Sequence, residues 1–419
     1  MVASTDIKFY VHTNNNAPQL QNAYGSMINV LDACLIDGIQ IGAVNSLTAS
    51  GNTVTVTFGT AHNLMQYQVI KITGANQPEF NGEHRILSIP DTSSFTFELA
   101  AVPSVTTATG TISASLPPLG WEKPFSSTNE AGGGKAAYRS TNLLLPSRPF
   151  LRVVDELDPA YTATYAKYAK VGIVEDMTDI DTMLGVQAPF DAVNPDKNWV
   201  GTGSGTAVIN GWSRWYYARN GDASSDVKDN VSPPNGIRQY ILIGSTDCFY
   251  LINSTGYQMN NCQVYGFGAY ESLIEGYAFN NFLSTTLFEG TVNVYNKVGD
   301  DTSIGVNGGA ENILTERMLS RLDKFGQAKA VSSLFNTNRP SGSSNAHAYI
   351  PVDKPIFPIY LSGEGMYGRL KYGYHLVEMI PYSHKQLIVK DNKAYIAINI
   401  AAHVAPKFGQ MVFEIGDTQ

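Results

Sequence analysis

The chain has 419 residues, of which 43% are apolar and only 15% charged, with a formal net charge of -8. That length exceeds one simple core and predicts two to four domains, while so few charges argue against disorder driven by self-repulsion. The acidic balance and the lack of a basic run exclude a grip on nucleic acid through clustered Lys and Arg, and no sequence-specific nucleic-acid partner is expected.

A supply of 38 Gly, 23 Tyr and 18 Phe suits short strands and tight turns rather than long helices. Cys34, Cys248 and Cys262 form no CxxC pair and cannot all pair with one another, so a disulfide framework is not expected. Met1 to Asp6 carries no basic-then-apolar leader. No apolar run approaches the ~20 residues that cross a bilayer, so synthesis in a reducing cytoplasm and no membrane insertion are expected.

Ile7, Phe9 and Val11 alternate over an opening strand. The spacing of Leu20, Met27, Ile28, Leu31 and Leu35 predicts a helix over Pro18 to Leu35, with Pro18 in its first turn. Gly25 within it costs about 1 kcal/mol relative to Ala.

Residues 44–115 then read as a separate module inside the host sequence, with twelve Thr and no Trp or Cys. Val54, Val56 and Phe58 alternate with Thr53, Thr55 and Thr57, as in a half-buried strand. Ile70 and Ile72 repeat the pattern, Asn81-Gly82 predicts a hairpin, and Arg85 to Ile89 and Phe95 to Leu99 add strands. Five or six strands in this span predict a small closed barrel or sandwich, since closure removes exposed edges.

The host resumes at Trp121 and runs through strands at Phe150 to Val154, Tyr165 to Val174, Val208 to Ala218, Gln239 to Gly244 and Cys248 to Ile252. A third region begins near residue 286. A helix is predicted over Glu311 to Leu322 from the Leu314, Met318 and Leu322 stripe. Short strands are predicted at Ile356 to Leu361, Leu387 to Val389, Tyr395 to Ile400 and Val412 to Ile415. The expected architecture is mainly β and multidomain, with few helices. It consists of a mixed sandwich and barrel host (1–43 plus 116–285), an inserted small β-barrel (44–115) and a C-terminal β-rich domain (286–419).

Four candidate sites can be weighed. Glu175, Asp176, Asp179 and Asp181 are carboxylates of the type that binds calcium, but the segment lacks the Gly and terminal Glu of an EF-hand, and a solvated acidic turn is the simpler reading. Gly201 to Thr206 is glycine-rich, yet no Lys follows it, so a plain turn is expected rather than a phosphate cradle. The histidines, including His62, His84, His347, His375, His384 and His403, have no metal-ligand spacing, and the cysteines look like small core residues. No metal or cofactor is therefore expected, and no catalytic residue is indicated.

The fourth candidate is the aromatic run Trp212 to Tyr217. In a strand, Trp212, Arg214 and Tyr216 face one way and Trp215 and Tyr217 the other. Trp212, Trp215 and Tyr217 are the residues that could offer a surface to a glycan or a protein partner, against the plainer alternative of a half-buried strand.

Asn29 to Leu35, then Leu119-Gly120-Trp121-Glu122-Lys123-Pro124-Phe125 and Ala136-Ala137-Tyr138-Arg139, together resemble a family of tailed-bacteriophage virion proteins. In that family an LDACL stretch is joined by a short link to a GWxKPFSGTNKAxYR stretch. Phe150 to Asp155, Met177 to Thr182 and Tyr240 to Gly244 extend the resemblance over roughly residues 7 to 253. This chain departs from the pattern by carrying its insert at the link. The insert is similar to a small β module of phage tail and head proteins, marked here by Ala61-His62-Asn63-Leu64, Ile72-Thr73-Gly74-Ala75 and Phe80-Asn81-Gly82.

The resemblance implies a virion structural subunit of the tail, baseplate or neck and collar, and not an enzyme. Its expected partners are other virion proteins and copies of itself in a symmetric ring or array. A capsid decoration protein and a host-receptor, glycan-binding tail protein are the alternatives.

Overall fold

The computed structural model describes residues 3–296, 298, 304, 313–332, 356–376, 381–401 and 408–418. The fold is mainly β, with 48% of residues in strands and 5% helical, as the composition predicts.

The largest sheet begins with the strand Lys8–Val11 and passes through Tyr240–Gly244 and Cys248–Ser254 to Cys262–Ala269. From there it continues through Asn281–Ser284, Ile313–Thr315, Gly326–Ser332, Ile356–Ser362, Met366–Leu376, Phe408–Asp417 and Lys393–Ala401. A parallel contact between Cys262 and Ile400 returns Lys393–Ala401 to Cys262–Ala269, so eight strands close into a barrel. Closure pairs backbone groups that an open edge would expose. One sheet therefore runs across the domain boundary expected at 285/286, because Asn281–Ser284 pairs antiparallel with Ile313–Thr315.

The second sheet has seven strands, in the order Glu122–Thr128, Gly133–Arg139, Phe150–Glu156, Lys167–Met177, Ser213–Ala218 and Thr286–Leu287, with Met183–Ala188 also paired to Lys167–Met177.

Residues 39–116 form two four-stranded sheets of their own. Strand Thr53–Thr57 buries Val54 and Val56 while its threonines are half-exposed, which follows the alternation in the sequence. The chain crosses between the sheets at Ile86 and Leu87, whose amides bond Gln68 O in one sheet and Thr96 O in the other. On the other side, Ala49 N bonds Thr106 O and Ala108 N bonds Leu47 O. Asn81-Gly82 is not a two-residue turn. The Asn81 side chain instead spans a longer loop, accepting from Ala75 N at 3.0 Å and donating to Ala75 O at 2.8 Å.

Two predicted helices are corrected. The first is an α-helix only over Ser26–Asp32, followed by a π turn at Ala33–Asp37. Gly25 has φ +84°, and its Cα hydrogen lies where a Cβ would meet Gly133 Cα at 3.0 Å. That left-handed residue starts the helix late, and upstream Leu20 bridges to Arg238 instead. The second, expected at 311–322, lies partly outside the described residues; its described part is the strand Ile313–Thr315 followed by turns. Leu314 is buried in the sheet and Leu322 is 49% exposed, so the stripe does not form a common face.

One hydrophobic core joins helix, inserted module and second sheet. It includes Met27 and Leu31, then Val54, Phe95 and Ile72, then Leu151, Val171 and Trp215. A single polar residue fastens the module further. Arg85, 2% exposed, donates to Tyr67 O at 2.8 Å, Ile415 O at 2.8 Å, Ile7 O at 3.0 Å and Ser4 O at 2.8 Å. It thereby ties the module to the residues just before the first strand and to the last strand. Gly416 leaves room for this, since a Cβ there would lie 2.3 Å from the Arg85 guanidinium carbon.

Candidate functional site

The aromatic run forms the strand Ser213–Ala218, which is buried along its whole length. Trp215 and Tyr217 are both 0% exposed. The Trp215 indole stacks on Tyr265 with centroids 5.6 Å apart and donates Nε1–H to Ser284 O at 2.9 Å. Tyr217 donates its hydroxyl to Asp155 at 2.6 Å. Neither side chain can meet a glycan, and their assignment to a binding surface is corrected. The predicted facing is right, but both faces are covered by other layers. Of the three residues only Trp212 is half-exposed, with Lys197 Nζ 4.3 Å above its ring and Phe325 edge-on at 6.3 Å.

On the other face of that strand lies a buried ionic cluster that the sequence did not signal. Asp229 accepts from Arg214 at 3.2 Å, from Arg219 at 3.2 Å and from the Tyr216 hydroxyl at 2.6 Å. The Arg214 guanidinium lies between the rings of Tyr168, at 4.6 Å, and Phe288, at 5.0 Å. A second buried pair joins Lys170 to Asp158 at 2.8 Å. Gly201 N also donates to that carboxylate at 2.8 Å, so the glycine-rich segment serves a structural acid rather than a phosphate. These groups are enclosed and mutually paired, which is what buried charge requires.

The acidic segment is similarly occupied. Asp181 pairs with Lys135 at 2.8 Å and Arg152 at 2.6 Å, while Asp179 accepts from the Asp181 and Thr182 amides. Glu175 pairs with Arg317 and accepts from Val186 N. The carboxylates point to separate partners, and among the described residues no group of three His, Cys, Asp or Glu converges on a metal position.

The three cysteines are buried and free, and burial raises the thiols of Cys248 and Cys262 to about 12. Burial lowers the imidazole of His375 to about 4. His62 and His84 are also buried, and His347 and His403 lie outside the described residues. Among the described residues, no helix is long and apolar enough to cross a membrane.

A cleft of about 790 Å³ lies where three distant segments meet. One wall follows the strand Met183–Ala188, with Gln187 and Phe190. A second is the turn carrying Asp323, Lys324 and Phe325, and the third runs from Gly363 and Glu364 to Tyr367. The Ser320 hydroxyl and the amides of Ser320 and Leu319 hold Glu364 below the usual carboxylate range. Arg321, 2.8 Å away, does the same for Asp323. Both therefore stay anionic, which suits hydrogen-bond acceptance and not proton donation as a general acid. Three stretches of chain between residues 185 and 367 build this cleft, and no local sequence pattern could have revealed it.

No family model matches the chain, and no curated protein does. Among solved structures the chain is similar to "Phage phi92 endosialidase", at 11% identity and a TM-score of 0.16. That match covers 90% of this chain and about half, 51%, of the neighbour. Superposition at this level transfers neither fold nor activity.

Proposed function

We propose that this protein is a structural subunit of a bacteriophage virion, placed at the tail, baseplate or neck, which works by protein–protein assembly and not by catalysis. The observation that carries the reading is the locking of the inserted module. Arg85 binds backbone carbonyls at both ends of the described chain, and one apolar core continues from the module into the host. A module joined in this way presents its surfaces at fixed angles, which suits a repeating assembly better than a tethered domain does. The motif resemblance over residues 7 to 253 supports the same reading.

The loop carrying Leu143 and Leu144, 78% and 92% exposed, supplies adjacent apolar side chains for contact with other virion proteins or with copies of the chain in a ring. Antibodies against the purified chain test the proposal by immunogold labelling of intact particles. Label at one end of the tail or at the neck is expected. Unlabelled particles, together with a purified chain that stays monomeric, would reject it, and label spread over the head would favour capsid decoration.

A further inference from the structure

We propose that the cleft between residues 187–190, 323–325 and 364–367 binds an uncharged oligosaccharide. The inference does not rest on the virion reading and would stand or fall apart from it.

Its volume of about 790 Å³ lies within the range of small-molecule sites. The rings of Phe190 and Phe325 line it, Phe190 being 39% exposed. Aromatic faces of this kind pack against the C–H faces of a sugar ring, while amides and carboxylates take the hydroxyls. Gln187 and Gln327 supply the amides, and Asp323 and Glu364 the acceptors. The Gln187 Oε1 is buried without a hydrogen-bond partner among the described residues, an unmet acceptor in the wall of the cleft.

Charge narrows the ligand class. Asp323 is already paired with Arg321 at 2.8 Å, which leaves Glu364 and Lys324 as opposite charges in the lining, with no net charge between them. An anionic sugar would lose hydration there without a net cationic partner, and a neutral one has no such cost. Trp212 gives a built-in reporter, since its ring touches the cleft wall through Phe325.

The test applies the full chain to a printed array of uncharged di- to tetrasaccharides of hexoses, deoxyhexoses and N-acetylhexosamines, with sialylated and sulfated glycans alongside. The strongest glycan is then titrated by tryptophan fluorescence. At least one uncharged glycan should bind in preference to every anionic one. Phe190→Ala and Gln187→Ala should each weaken it tenfold or more at unchanged melting temperature. Trp212→Phe should remove most of the fluorescence response. The proposal is overturned by an array without uncharged binders, by a preference for anionic glycans, or by affinity that neither variant changes.

Discussion

Asp155 accepts the Tyr217 hydroxyl at 2.6 Å on one oxygen and the Met27 amide at 3.0 Å on the other, so one fully buried carboxylate joins the second sheet to the start of the Ser26–Asp32 helix. Burial raises its pKa from 3.8 to about 6, against the opposing pull of those hydrogen bonds. A carboxyl raised on folding binds its proton more tightly in the native state. Its contribution is thus fully present below pH 4 and is lost as pH climbs to about 6.

Replacing Asp155 by Asn should remove this dependence. Wild-type stability relative to Asp155→Asn is expected to fall by about 3 kcal/mol between pH 4 and pH 6.5, at ~1.4 kcal/mol per pKa unit. Urea unfolding of both proteins across that range checks it. A constant difference would mean that folding does not raise the Asp155 pKa.

His375 acts in the opposite sense. Burial lowers its imidazole from 6.5 to about 4, so the native state resists the proton that the unfolded chain takes up. Its stabilisation is present above pH 6.5 and is lost as pH falls toward 4, by about 3 kcal/mol at most. His12 and His384 are lowered likewise by burial, to about 4 each, but are more open to solvent and contribute less. Net stability should therefore decline from pH 7 to pH 4 despite Asp155. A His375→Gln chain should show a shallower decline in the same urea series, and an unchanged slope would count against the assignment.

Arg85→Ala should leave the carbonyls of Ser4, Ile7, Tyr67 and Ile415 short of a donor inside the fold. The expected cost is about 3–5 kcal/mol, as for other broken buried networks. Arg85→Lys should rescue little, because an ammonium cannot reach several carbonyls in one plane. Limited proteolysis provides the readout, with cleavage near residues 3–7 expected in the variant and absent from the parent.

Asp229→Asn removes the anion shared by Arg214 and Arg219, 0% and 1% exposed, and leaves two buried cations with only dipoles for company. A loss of about 3–5 kcal/mol is expected. Thermal unfolding of the single variant and of Asp229→Asn with Arg219→Met measures it. The double variant should recover part of the loss, and an additive result would show that the ions are not coupled.

Strand alternation was legible where one face is buried and the other meets solvent, as at Thr53 to Thr57. The run Trp212 to Tyr217 was readable as a strand with two faces but not as an interior one. Aromatic residues occupy both faces of such a run whether it is half covered or fully covered, and only the layer behind it decides. The Leu314, Met318 and Leu322 spacing fits a helix equally well as a short strand and a turn, and pairing of Ile313–Thr315 with two neighbouring strands settled it.

The sequence alone determined the β-rich character of the chain and the alternating strands such as Thr53–Thr57, because each depends on local pattern. The tertiary structure decided the closure of the barrel through Cys262 and Ile400, the burial of Trp215 and Tyr217, and the bond from Arg85 to a carbonyl 330 residues away. Those outcomes depend on which surfaces exclude water together, and residues far apart in the chain carry no local mark of that meeting.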